Sequence, residues 1–462
     1  MSYLKCTFVG LCLLLASCQI ETSVDAIILS NCHIINVGTG SIKEHSDIWI
    51  KEDRIFRITP HDQNLKSKNG YIDASDKFVI PGLWDMHAHI VDYDWVPNMY
   101  TALGVTGLRI MHGGPERMED INKNRIDGFY KGFEFLYSSP ITDGPGETWP
   151  GARVAKNPEE GRQLVREYHK KGYDFVKVYN FLDLKTFNAI AAECNRLGLP
   201  FAGHVPLHVT TEEAIQAGQK SIEHSLGLEH ALPDPKMFQS GFMDMDYNAY
   251  VKAFLKAYDS TLKDNVLQIT KTKNTWFCPT LVNLKSFILT KEQDSLNKND
   301  SRLKYIPKKE QDYWFGDVTE EGTPSYLAAN ESWAEAEIAS FNLNLSYVKP
   351  MLDNGSKFLA GTDTSNPHIY PGFSLHDELQ LFVEGGFTEL EALQTATLNP
   401  AIFIGRETDL GTIEEGKLAN ILVLDKNPLE NIENTLAIYG LVRRGQYLNK
   451  EELNQLMDYS KH

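Results

Sequence analysis

Positive charge is scarce in this chain: 45 Lys and Arg stand against 62 Asp and Glu, the formal net charge is −17, and no basic block occurs anywhere. Such a surface repels polyanions, which argues against nucleic acid as a partner. Long apolar runs are missing as well; the stretch from Phe8 to Ala16 is too short to cross a bilayer. Cysteine is sparse and scattered, with none of the six in a Cys-x-x-Cys or Cys/His cluster, so neither a disulfide framework nor a thiolate metal site is expected. What is present is 42% hydrophobic residues and seven Trp over 462 positions. That is enough for a globular core and more chain than one compact core usually holds, so a large barrel with an accessory domain is the expectation.

The N-terminus reads as a targeting segment. One positive charge at Lys5 precedes the short apolar stretch, and Leu15-Ala16-Ser17-Cys18 follows it, as in a cleaved signal. Those four residues resemble the bacterial lipobox, in which the Cys is lipidated and becomes the first mature residue. The resemblance makes residues 1–17 a signal peptide and Cys18 a lipid anchor at the bacterial cell envelope. Gln19 in place of Asp favours the outer membrane if the source is Gram-negative. Cys6 and Cys12 would leave with the signal, and Cys32, Cys194 and Cys278 read as small buried hydrophobes.

Residues 19–80, once past a short polar tether, are β-rich, with Ala26-Ile-Ile-Leu, Cys32-His-Ile-Ile-Asn-Val and Asp47-Ile-Trp-Ile-Lys punctuated by Gly38-Thr-Gly and Glu52-Asp-Arg. A matching set closes the chain over 406–450, including Leu418-Ala-Asn-Ile-Leu-Val-Leu-Asp425. Paired, the two ends would form one small β-sandwich, leaving residues 81–405 as an insertion. That middle alternates apolar β-runs with helical patterns, the signature of a parallel sheet. Eight strands are expected to end near His89, Ile110, Ile141, Tyr179, His204, His224, Thr280 and Asp363. The fold class is therefore α/β, a (β/α)8 TIM-like barrel whose active site lies at the C-terminal ends of its strands.

The residues with chemical potential fall at those ends. In Trp84-Asp-Met-His87-Ala-His89 the two imidazoles, two positions apart on a strand, face the same way. Lys177, inside Phe-Val-Lys-Val, is poorly placed for a solvated charge, and burying an unpaired ammonium is costly. Carbamylation by CO2 would turn it into a bidentate anion; snorkelling from the rim is the plainer alternative. Tyr179 shares its face. His204 after Gly203, His224 after Glu223, and Asp363 after Gly361-Thr362 complete an N/O ligand set suited to borderline divalent metals.

The ordered series Val79-Ile-Pro-Gly-Leu-Trp-Asp-Met-His-Ala-His, Asp174-Phe-Val-Lys-Val-Tyr, Gly203-His-Val-Pro, Ser221-Ile-Glu-His, Ala360-Gly-Thr-Asp-Thr and Glu391-Ala-Leu-Gln-Thr-Ala-Thr-Leu-Asn-Pro resembles the amidohydrolase superfamily, and within it the imidazolonepropionase-like branch with its prolidase-like dipeptidases. The resemblance implies His87, His89 and Asp363 on one metal, His204 and His224 on a second, and a carbamylated Lys177 bridging them. Zinc is the default from ligand type. It further implies a water shared by the two ions as the nucleophile, Asp363 as proton carrier and Tyr179 as oxyanion or substrate donor.

Two features depart from the family pattern. After the second strand Leu108-Arg109-Ile110-Met111-His112 keeps the family's Arg and loses the Asp that commonly follows it; Arg109 either binds a substrate carboxylate or is structural, and His112 is a weaker candidate at the same rim. Residues 283–330 are rich in Lys, Asp, Glu and Asn, with Tyr305, Tyr313, Trp314 and Phe315 interspersed, and read as a long loop forming a lid. The leading expectation is hydrolysis of an amide in a dipeptide (Xaa-Pro or Xaa-Arg) or an N-acyl amino acid. The alternatives are a lactonase, phosphotriesterase or cyclic-amidine hydrolase on the same metals, and a non-catalytic binding lipoprotein. Oligomeric state is left open.

Overall fold

The computed structural model describes residues 26–89, 95–112, 132–146, 148–231, 260–271, 274–288, 290–315 and 331–458. The signal segment, Cys18 and residues 316–330 of the insertion lie outside these. β1 (Ile27–Ile35), β2 (Ile42–Lys51) and β3 (Arg54–Pro60) are rich in isoleucine, whose branched Cβ suits a pleated surface, and they pair antiparallel in turn. β4 (Tyr71–Asp73) and β5 (Phe78–Pro81) pair parallel with β1.

The chain then enters a barrel. β6 (Leu83–Ala88), β7 (Val105–Ile110) and β8 (Glu134–Tyr137) form one parallel set. A second set contains β9 (Thr142–Asp143), with β10 (Arg153–Val154) beside it, then β11 (Val176–Val178), β12 (Phe201–Gly203), β13 (Ser221–Glu223), β14 (Trp276–Cys278) and β15 (Lys357–Phe358). Single bridges, Ser138 to Phe175 and Ala88 to Thr364, join the sets on both sides and close the ring. The third strand, expected to run to Ile141, breaks after Tyr137 at Ser138-Ser139-Pro140. Proline has no N–H to give the ladder, and the Ser139 hydroxyl accepts the Lys177 amide, at 3.1 Å, where a carbonyl would otherwise do so.

Past the barrel, β16 (Ile421–Leu424), β17 (Ile438–Arg443) and β18 (Gln446–Asn449) return to the N-terminal strands, with Val423 registered on Val79. One eight-stranded sheet results, in the order β18-β17-β16-β5-β1-β2-β3 with β4 on β1. Its apolar residues, among them Leu29, Ile48, Ile55, Val79, Val423 and Val442, gather in one cluster, so the sheet curls over its own core. Cys32, Cys194 and Cys278 are free and buried.

The insertion corrects the sequence reading. Where a long loop was expected, the described part is helical over Leu281–Ser286, Lys291–Lys298, Ser301–Tyr305 and Lys308–Phe315. Thr290 and Asp300 cap two of these pieces by accepting the amides of Gln293 and Arg302. Trp314 is buried, edge-on to Tyr370 at 5.1 Å between ring centres. Because Lys291–Lys298 buries no residue, it carries no apolar stripe by which a helix is read from sequence.

Candidate metal centre

At the C-terminal ends of the strands the backbone bends sharply to turn side chains inward. His224, Thr280 and Asp363 adopt positive φ of 60°, 48° and 61°, an uncommon state for residues with a Cβ and one that collects at functional sites. Gly361 lets β15 close on β6: a Cβ there would meet Cys278 Sγ at 2.5 Å and His87 Cβ at 2.7 Å.

These bends gather the residues singled out from the sequence. Donor atoms of His87, His89 and Asp363 all lie within 4.8 Å of one another. Asp363 Oδ1 is 3.2 Å from His87 Nε2 and 2.9 Å from His89 Nε2. The His224 ring packs 4.5 Å from that of His87 and 4.9 Å from that of His204. The Tyr179 ring lies 4.1 Å from His204. Lys177 is buried on β11, close enough for its charge to depress the basicity of both His204 and His224.

Each of three histidines is held from behind by Nδ1. His87 donates to Glu223 Oε2 at 2.8 Å, His204 to Asn180 Oδ1 at 2.7 Å and His224 to Thr280 Oγ1 at 2.7 Å. With the Nδ1 proton committed, Nε2 presents a lone pair, as in metal-ligating histidines. His87 Nε2 is buried without a hydrogen-bond partner, although Asp363 Oδ1 stands 3.2 Å away. Two acceptors facing one another in a dry site are reconciled by a cation between them, so these residues fit a divalent metal. A second group, His87, Glu223 and Cys278, also clusters. Its carboxylate is already engaged by Arg109 and Ser221, and burial pushes the Cys278 thiol far above its ordinary value.

Electrostatics agree. Burial pushes His224 down to about 3 and lowers His204 and His89 as well, so all three are neutral, as ligands must be. Burial would raise the Asp363 carboxyl, yet it lies well below the carboxylate range, and its Oδ2 accepts the side-chain amides of Asn283 and Asn366. Burial brings the Lys177 amine down to about 8, against the pull of Glu223 and Asp363. Burial also raises the Tyr179 phenol, which therefore stays protonated and able to donate.

Arg109 is not at the mouth. It is fully buried, with Nη1 on Ser221 Oγ and Nη2 on Glu223 Oε2, each at 2.7 Å, and Nε on the Met86 carbonyl. Three of the five N–H donors of this guanidinium are engaged within the fold and the group is fully buried, which supports the structural one of the two sequence readings. His112 accepts a 3.4 Å bond from the Ile141 amide at the rim. Sequence reasoning missed Glu223, Asn180, Thr280 and Asn283, all of which touch proposed ligands.

The profile of the Amidohydrolase family matches residues 78–448. Ochratoxinase from Aspergillus niger is 36% identical over 116 residues, 23% of this chain and 23% of its own, so the match spans about a quarter of that curated relative. Among solved structures, bottromycin amidohydrolase superposes with a TM-score of 0.75 at 20% identity, covering 94% of this chain and 89% of its own. A Xaa-Pro dipeptidase with methionine bound in its active site gives 0.64 at 18% identity, over 92% and 100%.

Proposed function

The chain belongs to the amidohydrolase family, and on that premise we propose that it is a metal-dependent hydrolase of C–N bonds, acting on the amide of a dipeptide or an N-acylated amino acid. The observation that carries this reading is the opposed pair His87 Nε2 and Asp363 Oδ1, each an acceptor and each facing the other. His87, His89 and Asp363 would hold one divalent ion and His204 and His224 a second, with Lys177 between them as its carbamate. Zinc fits the ligand set. Bound there, the ions polarise a carbonyl and lower the pKa of water towards neutrality.

The chain's own residues supply the rest. Asp363, held ionised, takes the proton of the attacking water and returns it to the departing nitrogen. Tyr179, kept neutral by burial, donates its hydroxyl to the oxygen on which negative charge develops. Burial of Lys177 favours the neutral amine, the form that combines with CO2. The Xaa-Pro dipeptidase among the structural neighbours supports the substrate class. Leu15-Ala-Ser-Cys18 supports an envelope location through a lipidated Cys18, which a shift of Cys18→Ser protein to the soluble fraction would test.

The experiment is metal content measured together with turnover of Xaa-Pro, Xaa-Arg and N-acyl amino acid substrates. Two ions per chain and hydrolysis of one of these classes is the expected result. A metal-loaded protein turning over only lactones, phosphotriesters or cyclic amidines would replace the substrate class, and one inert to all would leave a binding protein. Lys177→Ala should be inactive and rescued by short carboxylic acids; an unaffected variant rejects the carbamate.

A further inference from the structure

The end of the seventh barrel strand, Thr280-Leu281-Val282-Asn283, carries no metal-ligand type and drew no role from the sequence, yet it touches both halves of the proposed centre. Thr280 Oγ1 accepts the His224 Nδ1 proton at 2.7 Å. Asn283, 4% exposed, donates Nδ2 to Asp363 Oδ2 at 2.9 Å. Asn366 donates to the same oxygen at 2.7 Å and lies 3.3 Å from Asn283 Oδ1. The two oxygens of Asp363 are thus given different surroundings: Oδ2 receives two amide donors, while Oδ1 faces the Nε2 atoms of His87 and His89.

Asn283 is itself anchored from outside. Its helix begins at Leu281 without a side-chain cap from Thr280. The free amides of the first turn, Leu281 and Val282, donate instead to Glu378 Oε1 at 3.0 Å and Oε2 at 2.7 Å. Glu378 is fully buried on the helix Phe373–Glu384. Next to it, Asp377 accepts Arg302 Nη1 of the insertion at 2.6 Å. One helix therefore secures both the root of the insertion and the residue that orients Asp363.

We propose that Asn283 is a positioning residue for Asp363, with Asn366 as its partner and Glu378 as the anchor that holds Asn283 in place. The proposal rests on the metal-centre reading above. Rotation of a carboxylate about Cβ–Cγ is soft and two-fold. Without the amide donors the oxygens of Asp363 interchange, and both its bite on a cation and its aim at the attacked carbonyl degrade. A purely space-filling Asn would pack as well against solvent or its own helix. This one instead spends its donor on the carboxylate of the neighbouring strand.

The test uses the full-length, zinc-loaded protein and the variants Asn283→Ala, Asn283→Asp, Asn366→Ala and Glu378→Gln. Zinc affinity is read by chelator competition, kcat and KM on the best wild-type substrate, and melting of the metal-free proteins. Losing a residue that orients a ligand costs about 10–100-fold in affinity or turnover. Asn283→Asp, equal in size but presenting an acceptor, should lose at least as much as Asn283→Ala, with kcat falling and KM nearly constant. Glu378→Gln, which keeps one of the two backbone bonds, should shift the same quantities less, and melting should move little in the Asn283 variants. If Asn283→Asp keeps wild-type zinc affinity and kcat while the wild type binds metal and turns over, the positioning role alone is overturned. If the wild type binds no divalent ion, the centre and this proposal fall together.

Discussion

The same strands end in opposite ways. β13 starts after Lys220 and ends before His224, β14 runs from Trp276 towards Thr280, and β15 leads from Lys357 towards Asp363. At the lower end rings and ammonium groups pair with one another: Trp276 meets Phe403 edge-on at 5.8 Å, Lys220 Nζ lies 4.6 Å over Phe403 and Lys357 Nζ 5.1 Å over Trp276. At the upper end acceptors face acceptors and three backbones sit at positive φ. Stability is invested where charges and rings satisfy each other, and chemistry where they are left wanting a cation, which is the division expected of a (β/α)8 barrel. A cavity of about 600 Å³ opens at the lower end too, lined by Lys220, Trp276, Lys357 and Phe403 among others. Three helices, Leu184–Leu197, Thr211–Ala217 and Leu398–Ile404, end beside it, with Asn195, Gly218 and Ile404 in its wall.

The sharpest way to break this contrast is one substitution at each end. Asp363→Ala should lower kcat by about 10³–10⁴-fold, since it removes a proton carrier as well as a ligand, while the metal-free protein melts close to wild type. Trp276→Ala should do the reverse, costing about 3–5 kcal/mol of stability in denaturant unfolding through the cavity it leaves, with kcat per folded molecule retained. A kcat loss at Trp276 as large as that at Asp363 would dissolve the distinction.

How much of this was legible follows the same division. His87 and His89 announce themselves because strand geometry makes i and i+2 neighbours. His204, His224 and Asp363 follow because each stands just past an apolar run. Glu223 was in plain view inside Ser221-Ile-Glu-His, and strict alternation puts it with Ser221 on the face opposite Ile222. A carboxylate there needs a cation, and Arg109 answers it. Asn283 and Asn180 left no such trace, because their partners lie at the ends of other strands; Asn366 follows Asp363 by three residues, where an Asn beyond a strand reads as a turn residue. The helical insertion was missed for want of an apolar stripe, whereas the early end of β8 had a signal in Pro140 that alternation alone overrode.

A pH scan sharpens the contrast further, because the fold and the site carry different titrations. His376, fully buried, donates Nε2 to the Leu103 carbonyl at 3.0 Å and accepts the Thr435 hydroxyl at Nδ1, 2.8 Å away. Burial lowers it to about 4 from an ordinary 6.5. The unfolded chain binds this proton more readily than the folded one. The stabilisation is therefore complete above pH 6.5 and is lost as pH falls towards 4, by up to about 3 kcal/mol. His376→Gln, whose amide can still reach the Leu103 carbonyl, should flatten that part of the stability curve. An unchanged slope would assign the acid sensitivity elsewhere.

The smallest expected effect tests whether the lower end is purely structural. Lys220 is half-buried, and its ammonium rests on the Phe403 ring. Replacing it by Met keeps the stem and removes only the charge, so the loss is the cation–π term, about 0.5–1 kcal/mol at a partly exposed site. Urea midpoints should register that shift, while kcat, KM and zinc affinity stay at wild-type values, because β13 itself is unaltered between Ser221 and Glu223. A change in zinc affinity at Lys220→Met would mean that the charge is felt through Arg109, the cation that already bears on Lys220. The two ends of the barrel would then be one electrostatic unit and not two.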